Sequence, residues 1–221
     1  MIISSIMTKN LIWLTTESLT KEAENMALEN EIYHLPVLRN EKYVGILDIG
    51  IISEEDLESN TSINYYVDSF ENVSISPNQF AFDVLHLFKE FDLTALPVTT
   101  DDNELLGILK ATDILEYLSK TFSISNPGSF ITLKLESNGY NLQEISRIVE
   151  SNNAQIISLH FEPKHNDLEW LLTIKINRRD LSHIIATFER FNYEIVADSS
   201  IDENDDEIQA RYDQLMKYLN I

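Results

Sequence analysis

Apolar and polar positions along the chain follow a pattern that occurs twice. Leu19, Ala23 and Met26 recur at spacings of four and three, the stripe of an amphipathic helix, and Phe80, Val84 and Leu87 repeat it 61 residues later. Ahead of each helix stands a short strand-like run ending in hydroxyl residues, Ile12 to Thr15 and Val73 to Ser76. Pro77 falls at the start of the second helix, where a missing N–H costs nothing. Behind each helix an apolar strand, Leu35 to Leu38 or Leu96 to Val98, leads through a polar turn, Arg39 to Lys42 or Asp101 to Glu104. A second strand follows, Tyr43 to Leu47 or Leu105 to Leu109, so each pair reads as a hairpin. The offset is 61 at Pro36 and Pro97 but 62 at Gly45 and Gly107, because the second turn holds one more residue. Helices over Ile49 to Leu57 and Thr112 to Lys120 close the units, giving the order β-α-β-β-α twice.

The pattern changes after the breaker cluster Asn126-Pro127-Gly128. Residues Phe130 to Glu136 alternate as a strand and lead, past the turn at Asn138-Gly139, to a helix. Asn141 reads as its cap and Glu144 as the reciprocal acid, and Leu142, Ile145, Ile148 and Val149 share one face. Strands over Gln155 to Phe161 and Leu168 to Ile176 come next, then a helix capped by Asp180 with Leu181, Ile184, Ile185 and Phe188 inward, and a last strand from Tyr193 to Ala197. The order β-α-β-β-α-β is ferredoxin-like, so the fold class expected for the whole chain is α+β. Six of the ten residues from Asp198 to Glu207 are acidic, which reads as a solvated linker. Asp202, Asn204 and Asp206 mimic the start of a calcium loop, but Glu207 stands where that loop requires glycine. Ile208, Tyr212, Leu215 and Leu219 predict a final amphipathic helix. The expected division is 1–58, 59–122, 129–198, an acidic linker 199–206 and a helix 207–221.

Charge and composition narrow the function classes. The chain carries 16 Lys and Arg against 37 Asp and Glu, a net charge of −21, which repels a phosphate polymer and argues against nucleic acid. The same surface also serves plain solubility. No cysteine is present, so thiolate chemistry and disulfides are excluded. The five histidines are scattered, and neither a nucleophile elbow nor a phosphate-binding P-loop occurs, so no enzyme is expected. No secretory leader is evident, and no apolar run approaches the ~18 residues a membrane helix needs, so a cytoplasmic protein without membrane insertion is expected.

The repeated apolar-Pro-Val strand, followed by Gly-apolar-apolar and a short helix, resembles the CBS domain, a module that occurs as tandem pairs. The resemblance covers roughly residues 1–122. It implies a cleft between the modules that binds an adenosine nucleotide, so AMP, ADP, ATP or S-adenosylmethionine is the expected regulatory ligand, with no required cofactor. In such modules a hydroxyl after the glycine contacts phosphate, and an acid three residues on takes the ribose hydroxyls. The second repeat reads Gly107-Ile108-Leu109-Lys110-Ala111-Thr112-Asp113, placing Asp113 at the ribose position and Lys110 at the phosphate position. Both have ordinary alternatives: a first-turn acid that favours the helix dipole, and a solvated lysine at a strand end. The first repeat carries Asp48 and Ile51 at these positions and is expected to be incompetent. His34, aligned with Ala95, stands where a basic residue can touch phosphate, or simply packs beside its strand. Pro97, Ser76 and Thr15 border the same cleft by analogy.

Residues 129–198 resemble the ACT domain, a regulatory module that binds amino acids where copies pair. The resemblance implies a ligand loop over Asn138, Gly139 and Tyr140, although Gly139 also reads as a plain turn glycine. A CBS pair followed by an ACT-like domain resembles bacterial regulatory proteins of the acetoin-utilisation type. It implies a homodimer and an unidentified effector protein; the alternatives are a ligand-free scaffold or an amino-acid sensor.

Overall fold

The computed structural model describes residues 1–136, 140–164 and 168–200. It divides into two compact units, Met1–Leu118 and the residues from Ser119 onward. The first unit runs β1 (Leu14–Thr15), α1 (Thr20–Asn30), β2 (His34–Arg39), β3 (Lys42–Asp48) and α2 (Glu54–Ser59). It then repeats as α3 (Ala81–Glu90), β4 (Ala95–Thr99), β5 (Leu105–Lys110) and α4 (Ala111–Thr121), the last crossing the division between the units. The two hairpins are antiparallel, and each slips register by one residue near its turn.

Four local expectations change. The run from Ile12 contributes only two strand residues, parallel to β2, and the run from Val73 gives a single parallel bridge, Ile75 to Val98. The helix expected over Ile49 to Leu57 splits, because Ser53 takes the cap position and its hydroxyl accepts the Asp56 N–H at 3.2 Å. Leu19 and Phe80 do not belong to the buried stripes. Each is an extended cap residue, exposed, whose backbone bridges another segment: Leu19 to Ser62, and Phe80 to Ile2. The buried stripe of α1 is Thr20, Ala23 and Ala27, and that of α3 centres on Ala81 and Val84. Pro77 lies in the turn before α3, where its carbonyl accepts the Ser4 N–H at 2.9 Å.

These bridges reveal an exchange. The N-terminal segment hydrogen-bonds to the second repeat: Ile3 N–H to Gln79, Ala81 N–H to Met1, and Thr8 with Ile108 in both directions. The segment after α2 does the same for the first repeat: Thr20 N–H to Thr61, Ile63 N–H to Ser18, and Ile46 with Glu71 in both directions. Each module is thus completed by the segment that precedes the other. The paired glycines permit the approach. A Cβ on Gly107 would stand 2.5 Å from the Thr8 carbonyl oxygen, and one on Gly45 would stand 2.7 Å from the Phe70 Cβ. The cores interleave to match: Ala95 and Ile108 pack with Leu14, Leu35 and Leu47, while Tyr43 and Ile46 pack with Leu96, Val98 and Leu109.

The second unit contains β6 (Ser129–Glu136), α5 (Leu142–Ser151), β7 (Ile156–Pro163), β8 (Glu169–Ile176), α6 (Ser182–Arg190) and β9 (Glu194–Asp198). Its sheet order is β7-β8-β6-β9, antiparallel throughout, which is the ferredoxin-like arrangement. Ile131, Leu133 and Leu135 alternate inward with Leu172, Ile174 and Ile176 against Ile145, Ile148, Ile184 and Phe188. Asn141 caps α5 as expected, accepting the N–H groups of Gln143 and Glu144. Glu144 does not complete the reciprocal box; its carboxylate accepts the Tyr193 hydroxyl at 2.9 Å. Asp180 accepts the Ser182 N–H at 2.8 Å, from one position ahead of the cap residue Leu181. The predicted C-terminal helix, most of the acidic linker, and Asn138 and Gly139 lie outside the described residues.

Candidate functional site

The two hairpins bring equivalent ends together. His34 opens β2 opposite Asp48 at the end of β3, and Ala95 opens β4 opposite Lys110 at the end of β5. The chain leaves each hairpin in the same way: the Ile49 N–H reaches the Tyr33 carbonyl at 2.9 Å, and the Ala111 N–H reaches the Thr94 carbonyl at 3.0 Å. Between them, the Thr94 hydroxyl accepts the N–H groups of Tyr33 and His34 at 2.9 and 3.2 Å. Thr94 returns its own N–H to His34 Nδ1 at 3.1 Å. Nδ1 is therefore an acceptor, and the ring proton resides on Nε2. Burial lowers the pKa of His34, against the opposing pull of Asp48 and then Asp92. Near neutral pH the ring is uncharged.

Asp113 sits in the first turn of α4. Its Oδ2 accepts the Lys110 backbone N–H at 2.9 Å and faces the Thr8 hydroxyl at 3.3 Å. The first of these contacts is half of a capping box, the acid reaching back to an orphan N–H. Among the described residues no hydrogen bond reaches Oδ1, so a half-buried carboxylate is held in place with one oxygen open. Lys110 extends elsewhere: its Nζ donates to the Asn30 carbonyl at 2.9 Å, at the negative C-terminal end of α1. In the first repeat Asp48 accepts the Gly50 N–H at 2.8 Å, and Ile51, which aligns with Asp113, is exposed.

The remaining expected residues divide. Ala95 and Pro97 are buried in β4, and the Pro97 carbonyl accepts the Ile75 N–H at 2.9 Å. The Ser76 hydroxyl accepts the Asn78 N–H at 3.4 Å, and the Thr15 N–H donates to Ser18 Oγ at 3.2 Å, so both residues tie the turns that enter their helices. Neither is hydrogen-bonded to Asp113 among the described residues. Tyr140 belongs to the second unit, where it packs on Phe161 and Trp170 and lines a cleft of about 420 Å³ with Lys134, Glu136, Glu144, Glu169 and Glu194. A cleft of about 680 Å³ follows α1 in the first unit, lined in part by Asn10, Ile12, Met26 and Asn30. Asn30 is thus shared between that cleft and the Lys110 contact.

Three residues at this end of the hairpins were not anticipated: Thr8, Asn30 and Thr94. Thr94 could have been found from its alignment with Tyr33. Thr8 reaches Asp113 only through the exchanged N-terminal segment, which no local pattern announces.

Among the described residues there is no cluster of three or more side chains able to hold a metal ion, and no helix long and apolar enough to cross a membrane. Two interlocked β-α-β-β-α modules define a tandem-repeat protein. The CBS domain family matches residues 3–59 and 67–120, just over half of the chain, which therefore belongs to that family. A relative, the uncharacterized protein MJ0188 of Methanocaldococcus jannaschii, is 24% identical over 190 residues, covering 80% of this chain and 70% of its own. Similar solved structures include the CBS domain pair of protein MJ0100 in complex with 5′-methylthioadenosine and S-adenosyl-L-methionine. It is 20% identical, covers 54% of this chain and 97% of its own, and has a TM-score of 0.46. The CBS domain pair/ACT domain protein TM0892 from Thermotoga maritima is 20% identical, covers 54% and 98%, and has a TM-score of 0.48.

Proposed function

We propose that this chain is a regulatory ligand-sensing protein, not an enzyme, that binds an adenosine-containing ligand in its CBS pair through Asp113. The observation that carries the reading is the carboxylate itself: Oδ2 is fixed by Lys110 and Thr8, while Oδ1 accepts no hydrogen bond among the described residues. An ionised carboxylate so positioned can take a ribose hydroxyl without reorganising, and charge-assisted bonds are about twice as strong as neutral ones. The pseudo-symmetric position has Ile51, so one site per chain is expected. Asp113 lies in α4, the helix through which the chain leaves the first unit. Ligand binding would act by favouring one arrangement of this helix over another, and can do so only through a difference in affinity between them. The output would pass through the ferredoxin-like domain, read as ACT-like, or through a partner in a cytoplasmic homodimer.

Calorimetric titration with AMP, ADP, ATP, S-adenosylmethionine and 5′-methylthioadenosine, on wild type and Asp113→Ala, tests this. Saturable binding near one site per chain, weakened at least tenfold (~1.4 kcal/mol) in the variant, is expected. No binding of any of them at millimolar concentration would overturn the reading. A second reading, amino-acid sensing by the ferredoxin-like unit, has in its favour the cleft beside Tyr140, whose four glutamates surround a single lysine. An amine-bearing ligand suits that lining.

A further inference from the structure

Resting on the ribose role of Asp113, we infer that the site selects adenosyl ligands without phosphate, neutral or cationic, over adenine nucleotides. The charges at this end of the hairpins carry the inference. Asp48 and Lys110 are pseudo-symmetric partners, each ending its hairpin beside the bond from the Tyr33 N–H to the Thr94 hydroxyl. A ligand phosphate would need cations at those two positions. One of them is a carboxylate. The other is an ammonium whose Nζ is already committed to the Asn30 carbonyl. His34, the basic side chain that opens β2 opposite Asp48, has its Nδ1 occupied by the Thr94 N–H and its ring uncharged near neutral pH. Asp92 joins Asp48 in facing that ring.

A phosphate approaching this end of the hairpins thus meets the carboxylates of Asp48, Asp92 and Asp113, while the lysine at the phosphate position is tethered elsewhere. The net charge of −21 adds long-range repulsion of the same sign. Adenosine or a thioether nucleoside escapes this penalty, and a sulfonium such as S-adenosylmethionine gains from it. Selectivity of this kind arises from repulsion of the wrong ligand as much as from attraction of the right one. The lysine does not rescue phosphate binding at full strength, because moving its Nζ onto a ligand would leave the Asn30 carbonyl without its donor.

The deciding experiment compares the affinities of adenosine, 5′-methylthioadenosine, S-adenosylmethionine, AMP and ATP by calorimetry at pH 7.5 and low salt, on wild type and Asp48→Asn. Asparagine keeps an oxygen for the Gly50 N–H, so the local turn survives while the charge is removed. Wild type is expected to bind the three phosphate-free ligands at least tenfold more tightly than AMP or ATP. Asp48→Asn should narrow that gap several-fold by improving AMP and ATP and weakening S-adenosylmethionine, with adenosine and 5′-methylthioadenosine little changed, and added salt should narrow it further through screening. AMP or ATP binding as tightly as adenosine overturns the charge selection while leaving the adenosyl sensor standing. An unchanged gap in Asp48→Asn likewise overturns the role given to that carboxylate. Failure of all five ligands to bind overturns the underlying functional reading instead.

Discussion

The imidazole Nδ1 of His34 accepts the backbone N–H of Thr94, 60 residues further along the chain, at 3.1 Å. That bond joins the two CBS modules at the end where Asp48, Lys110 and Asp113 converge, and it exists only while Nδ1 is unprotonated.

The stability of the protein should therefore depend on pH. The folded pKa of His34 is below the ordinary value of 6.5, with burial as the main cause. Above 6.5 both folded and unfolded chains carry a neutral ring, and the group contributes nothing to the dependence. As pH falls through 6.5 the unfolded chain takes up a proton before the folded chain does, so stability declines towards the folded pKa. Wild type should lose melting temperature between pH 7 and 5.5 by more than His34→Asn, whose Oδ1 can accept the Thr94 N–H but cannot titrate. Parallel slopes in thermal melts of the two proteins would remove His34 from the account.

Gly107 and Gly45 are constrained by the exchanged segments. For Gly107→Ala the new Cβ would press on the Thr8 carbonyl at 2.5 Å, a backbone atom with nowhere to go. For Gly45→Ala there is a clash with Phe70 at 2.7 Å and a φ of +153° that favours glycine. Each should cost about 1–3 kcal/mol in urea unfolding. Gly50→Ala is the control, because its Cβ would meet the movable Asp48 carboxylate at 3.1 Å and should cost less. Gly107→Ala should also weaken ligand binding, since Thr8 carries the hydroxyl that faces Asp113. Equal, small losses in all three variants would mean that the exchanged strands give way easily.

How much of this was legible in the sequence depends on how local the cause is. The hairpins and helices were readable, because apolar spacing and turn residues act within a few positions of themselves. The ferredoxin-like order also followed from element order alone. Leu19 and Phe80 fit the buried faces by spacing alone, because spacing cannot show that a neighbouring segment will pull the backbone out of the helix. At the site, Asp113 and Lys110 were found through the repeat, but the partners that fix them, Thr8 and Asn30, lie 105 and 80 residues away. The Glu144 cap failed for the same reason: Tyr193, distant in sequence, offers its carboxylate a better donor.

The tight turn of the first hairpin stores removable strain. Asn40 and Glu41 have φ of 50° and 63°, the left-handed pair of a two-residue hairpin turn. Asparagine tolerates that region, but glutamate does not, at a cost of roughly 1–2 kcal/mol. Glu41→Gly should therefore stabilise the protein by about 1 kcal/mol, part of the relief being offset by the greater freedom of glycine in the unfolded chain. A fall in the urea midpoint would show that the Glu41 side chain contributes more than its backbone costs.

Lys175 is the most unusual buried residue of the second unit. It is 2% exposed, donates its Nζ to the Ile124 carbonyl at 2.9 Å, and lies over the Phe130 ring at 4.7 Å from the centroid. No carboxylate pairs with it among the described residues. Taking an ammonium out of water is expensive, and one carbonyl with one aromatic face offsets only part of that. The long apolar stem should then matter more to stability than the charge at its end. Lys175→Met, which keeps the stem, should stay within about 1 kcal/mol of wild type: the lost bond to Ile124 is balanced by the desolvation no longer incurred. Lys175→Ala, which leaves a cavity beside Phe130, should cost about 3 kcal/mol. Denaturant unfolding followed by fluorescence in a Trp13→Phe background, where Trp170 is the one tryptophan left, reports on this unit directly, since Trp170 lies in β8 beside the core. If Lys175→Met falls as far as Lys175→Ala, the ammonium–carbonyl bond holds the 122–124 segment to the sheet, and packing of the stem does not.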